Sequence, residues 1–379
     1  MLISQLLDVN LLKQHIDNGL ISVQQHPELP LEIYNYTPYA QIYGTWGDGT
    51  IDYCRGLIVD KQGNVIARPY KKFHNLNTAS IPETMEANLP NVQPLVLEKL
   101  DGSLGILYQY GEYVGIATRG SFTSPQAKWA TNWLRAKREP IPFSFMVWPE
   151  GWTPLFEIIY DENRIVCKYD FETCILTGMV NIRTGAEMGY EELWKWAKAN
   201  GVRVVQRYSK SLSEVATENE AGREGYVLTY SRGSSCPPVK VKVKFEDYVR
   251  LHRIVTGVNP RAVWELMSEG KDDQIRVWIN DETMPEHFRA WLTEWRDKLD
   301  HEYHRILETA HEVYINRPVH NGDTRLHRKA CAFHFNQPES RQYASICFQM
   351  LDGGDPTATI WKMIRPNCTK DESFRRDGE

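Results

Sequence analysis

Lys99 sits two residues before an Asp101-Gly102 pair, in the run Leu97-Glu98-Lys99-Leu100-Asp101-Gly102-Ser103 between apolar segments. Lys242 and Lys244 lie two apart in an alternating Val-Lys run, hence on one face of a strand. Glu157 stands inside the apolar run from Leu155 to Tyr160, where a buried carboxylate without a partner is costly. Glu224 opens the strand-like stretch Gly225 to Tyr230, and Arg55 and Lys72 precede the whole set. Together these residue types fit one reaction, attack of a lysine amine on the α-phosphate of a nucleoside triphosphate. The amine must be neutral, although a free lysine titrates at roughly 10.4. Neighbouring cations and a divalent metal disfavour its protonated form. The α-phosphate needs positive charge as pyrophosphate departs. Lys242 and Lys244 can supply it, with Arg55 and Lys72 on the β- and γ-phosphates. Glu157 and Glu224 offer hard oxygens, one suited to ribose hydroxyls and the other to Mg²⁺.

The elements that must hold these groups are strands over the first two thirds of the chain. Tyr53 to Asp60, Leu95 to Lys99, Ser103 to Tyr110 and Tyr113 to Thr118 read as strands separated by Gly-containing turns. Leu155 to Tyr160, Cys174 to Asn181 and Gly225 to Tyr230 continue the series. Val239 to Phe245 alternates valine and lysine, the pattern of a half-exposed strand. Helices are predicted within residues 1–30, over 124–138 and from Tyr190 to Asn200, with Pro140, Pro142, Pro149 and Pro154 punctuating a loop. After about Val258 helical periodicity takes over, as in Trp291, Leu292, Trp295, Leu299, Tyr303, Ile306 and Leu307. The expected fold is therefore α+β, a domain of antiparallel sheets with flanking helices over residues 1–257 and an all-helical domain over 258–379. The tail from Arg375 to Glu379 is polar and expected to fray.

Composition narrows the class. The chain is 42% hydrophobic and 25% charged, ordinary for a globular protein. No run approaches a membrane span, and no secretion signal is visible at the start. Seven scattered cysteines, an odd number without CxxC pairs, point to reduced thiols in the cytoplasm. The formal charge of -5 argues against indiscriminate nucleic-acid coating but permits a local basic groove. His320, His327, Cys331 and His334 have no standard zinc-finger spacing.

Lys99-Leu100-Asp101-Gly102-Ser103 resembles motif I of the covalent nucleotidyltransferases, which include ATP-dependent ligases and RNA capping enzymes. Phe156-Glu157-Ile158, Glu224-Gly225-Tyr226-Val227 and Val241-Lys242-Val243-Lys244 resemble motifs III, IV and V, in the same order. Cys54-Arg55-Gly56, the Arg68-Pro69-x-x-Lys72-Phe73-x-Asn75 run, Asn163-Arg164-Ile165-Val166 and Tyr248-Val249-x-Leu251-His252 resemble the bacteriophage RNA ligase family typified by T4 RNA ligase 1. The resemblance covers roughly residues 30–255. It implies that Lys99 takes AMP from ATP, passes it to an RNA 5′-phosphate, and that a 3′-hydroxyl then seals the strand. It further implies Glu157 on the ribose, Glu224 on the catalytic Mg²⁺ (with Mn²⁺ able to substitute), and Lys242 and Lys244 on the α-phosphate. Arg55 and Lys72, with Tyr34 beside them, would hold pyrophosphate, while Arg119 and Glu98 join the nucleotide contacts. Asp272 and Asp273 resemble an acidic pair that holds a second magnesium. His74 stands where the family has an aromatic residue. The expected partners are single-stranded RNA or cleaved tRNA ends, handled by a monomer in the cytoplasm of a phage-infected cell during RNA repair. The alternatives are an enzyme that stops at 5′-adenylylation or caps with GTP, and an RNA-binding module without chemistry.

Overall fold

A computed structural model describes residues 1–43, 46–136, 148–233, 237–320 and 322–367. Pro140, Pro142 and the Arg375 to Glu379 tail lie outside the described residues. The chain divides into two compact units, Met1–His252 and a second beginning at Arg253, and the division falls within the helix Glu246–Gly257.

The first unit carries thirteen strands among its described residues. In chain order they are β1 (Ile21–Gln25), β2 (Leu31–Tyr36), β3 (Arg55–Asp60), β4 (Val65–Ala67), β5 (His74–Asn75), β6 (Leu95–Lys99) and β7 (Ser103–Tyr110). There follow β8 (Tyr113–Ala117), β9 (Trp152–Ile159), β10 (Thr173–Asn181), β11 (Arg207–Tyr208), β12 (Gly225–Tyr230) and β13 (Val239–Lys244). They form three sheets, ordered β1-β2-β3-β4, β10-β9-β7-β8 and β11-β6-β12-β13-β5. Every pairing is antiparallel except β13 with β5.

Side-chain alternation decides how the sheets pack. On β7 and β9, Leu107, Phe156 and Ile158 face the helices Pro125–Ala136 and Tyr190–Ala199, meeting Ala130, Leu134, Leu193 and Ala197. On the opposite face Ile106 and Leu155 pack against Leu31, Ile33 and Ile58 of the first sheet. Further along that face Ile159 and Ile175 meet Leu97, Leu100 and Val205 beside the third sheet. Glu157 therefore stands between two apolar contacts, on the face where the sheets converge. Pro154, expected in a loop, lies inside β9 opposite Met179, beyond the part of β9 that pairs with β7, so its missing N–H interrupts no bond to that neighbour.

The second unit is helical throughout its described residues. Its longest helix, Glu286–Ile315, contributes Ile306 and Ala310 to a core with Cys331, Phe335, Tyr343, Ile346, Cys347 and Ile360. His334 bonds the Val313 carbonyl, and among the described residues no group of three side chains could hold a metal. No described helix is long and apolar enough to cross a membrane.

Candidate active site

The Lys99 motif is the turn from β6 of the third sheet into β7 of the second. Gly102 is required there, because a Cβ would stand 2.6 Å from the Ile158 carbonyl oxygen on β9. Asp101 is 3% exposed and holds the turn from beneath. Its Oδ2 accepts from the backbone N–H of Val166 (2.7 Å) and Cys167 (2.8 Å), and its Oδ1 from the Tyr248 hydroxyl (2.8 Å). Ser103 donates to Asn163 Oδ1 at 3.0 Å, and Asn163 Nδ2 returns to the Ile158 carbonyl at 2.8 Å. The Asn163 to Val166 and Tyr248 motifs thus act by clamping the Lys99 turn.

Strand register assembles the charges. Lys99, Gly225 and Lys244 are aligned across β6, β12 and β13. Glu224, one residue ahead of β12, reaches both ammonium groups, with Oε2 2.8 Å from Lys99 Nζ and Oε1 2.9 Å from Lys244 Nζ. Burial alone would push the Glu224 carboxyl up, but the two ammoniums hold it below the ordinary range. Burial would likewise lower Lys99, and Glu224, Glu157 and Asp101 outweigh it, so the ammonium is held above its usual value. Glu157 is raised to about 7 by burial, against the pull of Lys99 and with the repulsion of Glu224. Lys242 follows on the same face of β13, and no carboxylate among the described residues lies within ion-pair distance of it. Burial, then Lys99, Lys244 and Lys72, push its ammonium well below the ordinary value. The lysine face of β13 is turned inward.

A cavity of about 450 Å³ opens beside Lys99 and Glu157, lined by them with Glu98, Arg55, Arg119 and Lys240 and the apolar Leu97, Val205 and Val227, while Glu224, Lys242 and Lys244 lie outside its lining. Glu98 also meets Arg223 at 3.3 Å. A cationic cluster adjoins the cavity around Tyr36, whose hydroxyl accepts from Lys72 Nζ at 2.9 Å and Arg119 Nη1 at 3.1 Å. Burial opposes ionisation of this phenol, but Arg55, Arg119 and Lys72 bring it down to about 7. Trp46 covers Lys72 with its ring 5.2 Å away and meets His74 edge-on at 5.5 Å. Burial, then Lys72, Lys242 and Lys71, lower the His74 imidazole to about 4, so the neutral ring packs as an aromatic would.

One expected residue stands elsewhere in the first unit. Tyr34 donates to Glu32 at 2.6 Å and packs in the core beside the helix Val9–Asp17, away from the cavity. Tyr36, two residues on in β2 and buried in the same core cluster, takes the place beside Lys72. Asp272 belongs to the second unit, where its oxygens bond Arg276 at 2.5 Å and Arg296 at 3.1 Å, while Asp273 is exposed. Each Asp272 oxygen thus meets a guanidinium. Sequence reasoning missed Tyr36, Trp46 and Lys240. For Lys240 the signal was available, since it shares the Lys242 and Lys244 face.

A family model described as RNA ligase matches residues 53–249, just over half of the chain. The chain belongs to the RNA ligase family. It is 26% identical over 264 residues to a Thermovibrio ammonificans protein provisionally named an RNA ligase, covering 67% of this chain and 66% of that one, just under two thirds of the relative's length. It is 21% identical over 327 residues to the RNA ligase of Rhodothermus phage RM378, covering 68% and 73% of the two chains. Among solved structures, an archaeal ATP-dependent RNA ligase aligns with 92% of this chain and 96% of its own, at 14% identity and a TM-score of 0.44.

Proposed function

We propose that this RNA ligase family member is an ATP-dependent enzyme that joins 5′-phosphate and 3′-hydroxyl RNA ends. The carrying observation is the sharing of one buried carboxylate, Glu224, by Lys99 and Lys244 at the edge of the cavity. In the first step the Lys99 ammonium releases a proton to solvent, its Nζ attacks the α-phosphorus and the bond to pyrophosphate breaks. In the second an RNA 5′-phosphate oxygen attacks the same phosphorus and the lysine nitrogen leaves. In the third a 3′-hydroxyl attacks the activated 5′-phosphate and AMP departs. Lys242 and Lys244 hold the α-phosphate, Glu157 the ribose, and Arg55, Lys72 and Arg119 the outer phosphates. Tyr36, not Tyr34, orients the last two.

Magnesium commonly takes one or two protein carboxylates and fills its shell with phosphate oxygens and water. Glu224 fits that use, being an anionic carboxylate at the nucleophile. The ion would neutralise charge on the triphosphate, and manganese offers the same chemistry. Residues 1–257 would form the adenylyltransferase domain and the helical residues from 258 an RNA-selecting domain that favours broken RNA or tRNA ends.

Incubation with α-labelled ATP or GTP, followed by denaturing electrophoresis, tests the reading. Label should be retained from ATP and lost in a folded Lys99→Ala variant. Retention from GTP but not ATP would overturn the ligase assignment in favour of capping.

A further inference from the structure

Arg68 opens the Arg68-Pro69-x-x-Lys72-Phe73 run, yet it does not line the Lys99 cavity. It is only 4% exposed. Its Nη1 donates to the carbonyls of Ile182 (3.0 Å) and Arg183 (3.2 Å), and its guanidinium lies 5.1 Å from the Tyr53 ring. Among the described residues no carboxylate lies within ion-pair distance of it. A cation withdrawn from water without an anion is held at considerable cost. Gly185, at φ +74°, leaves the space that Arg68 fills, since any side chain there would collide with the guanidinium.

Arg68 lines a second cavity of about 260 Å³. Lys71, Arg232 and Lys240 join it there, facing Glu83 and Glu187. Lys240 is neutralised by Glu187 at 2.6 Å. Lys71 stands 3.7 Å from Asp52 and 3.8 Å from Glu83, too far for a direct hydrogen bond to either. Cations outnumber anions, and the deepest of them has no carboxylate. Tyr70, Phe73 and Lys240 line both cavities and so separate this one from the Lys99 cavity. Lys72 also lines it, but its ammonium is bonded to Tyr36.

We propose that the second cavity binds a backbone phosphate of the RNA strand, with Arg68 at its base and Lys71 and Arg232 at its rim. The inference rests on the RNA-joining reading above. Leaving pyrophosphate has the same oxyanion chemistry, but Lys71 is one third exposed and Arg232 is exposed, a rim that a polymer can reach.

The test uses the full chain carrying Lys71→Ala, Arg232→Ala or both, and reads two reactions separately. One is lysine–AMP formation from labelled ATP. The other is transfer from protein already carrying AMP to 5′-phosphorylated RNA, followed over a range of salt. The double variant should show unchanged KM for ATP and a KM for RNA raised several-fold. Its logarithmic salt slope should fall by about one per cation removed. Unchanged RNA KM and salt slope would overturn the proposal. A raised KM for ATP with RNA transfer unaffected would also overturn it, placing pyrophosphate in the cavity. If the wild type takes label from no nucleotide, the RNA-joining reading has failed. Calorimetric titration of 5′-phosphorylated RNA into wild type and double variant then still decides the cavity: weaker binding by the variant supports it, and equal binding overturns it.

Discussion

Asp101→Asn separates what the Lys99 turn needs for its shape from what Lys99 needs for chemistry. The Asp101 carboxylate accepts three hydrogen bonds, two at Oδ2 from consecutive backbone N–H groups and one at Oδ1 from Tyr248. Asparagine can keep both backbone bonds through its carbonyl oxygen and donate from its amide nitrogen to the Tyr248 hydroxyl, but all three bonds lose their charge. Hydrogen bonds to a charged group contribute roughly 1.5–3 kcal/mol each, against about 1 kcal/mol for a neutral pair, so weakening all three costs about 1.5–6 kcal/mol. That is a large part of the 5–15 kcal/mol that typically holds a domain folded. Tyr248→Phe removes only the third bond and should cost about half as much. Urea denaturation at mildly alkaline pH, followed by tryptophan fluorescence, measures both. The m-value should be unchanged, since the surface exposed on unfolding is the same. An Asp101→Asn protein within ~1 kcal/mol of wild type, or less destabilised than Tyr248→Phe, would refute the clamp.

Glu157 holds its proton up to about pH 7, whereas an unperturbed glutamate releases it near 4.5. Through that window the folded state binds the extra proton, so stability falls as pH rises. Glu157→Gln should flatten that segment of the melting temperature against pH, and an unaltered slope would count against the burial argument. Gly102→Ala forces a Cβ to 2.6 Å from the Ile158 carbonyl. It should cost about 1–3 kcal/mol in thermal or chemical denaturation, and a neutral result would show that the turn has slack. Tyr36→Phe removes the hydroxyl shared by Lys72 and Arg119 and should raise KM for ATP more than it lowers kcat. Equal ATP kinetics in the variant would separate Tyr36 from the outer phosphates.

Much of this arrangement is legible in the chain because it depends on local pattern. The strand from Gly225 to Tyr230 and the Lys61 to Asn64 turn declare themselves by alternation and glycine. The alignment of Lys99 with Gly225 and Lys244 is set by long-range pairing, yet each partner lies in a recognisable run. What pattern cannot show is which way a face points. Val239 to Lys244 reads identically whether its lysines meet water or turn inward, and the inward orientation shows only in the partners that Lys240, Lys242 and Lys244 meet in the folded chain. Tyr34 and Tyr36 have the same parity and share one core cluster, and pattern cannot show that only the Tyr36 hydroxyl meets the cations while that of Tyr34 meets Glu32. The first thirty residues hide β1, whose Ile21 to Gln25 is short and mostly polar and becomes a strand by pairing with β2.

The turn that carries Lys99 joins two sheets, and this gives it a mechanical meaning. Lys99, Glu224 and Lys244 are fastened to the third sheet by strand pairing, whereas Glu157 belongs to the second. The turn is a pin between two plates. The lysine pair and Glu157 thus stand on different sheets that meet at one turn, and Asp101 ties that turn to Val166, Cys167 and Tyr248.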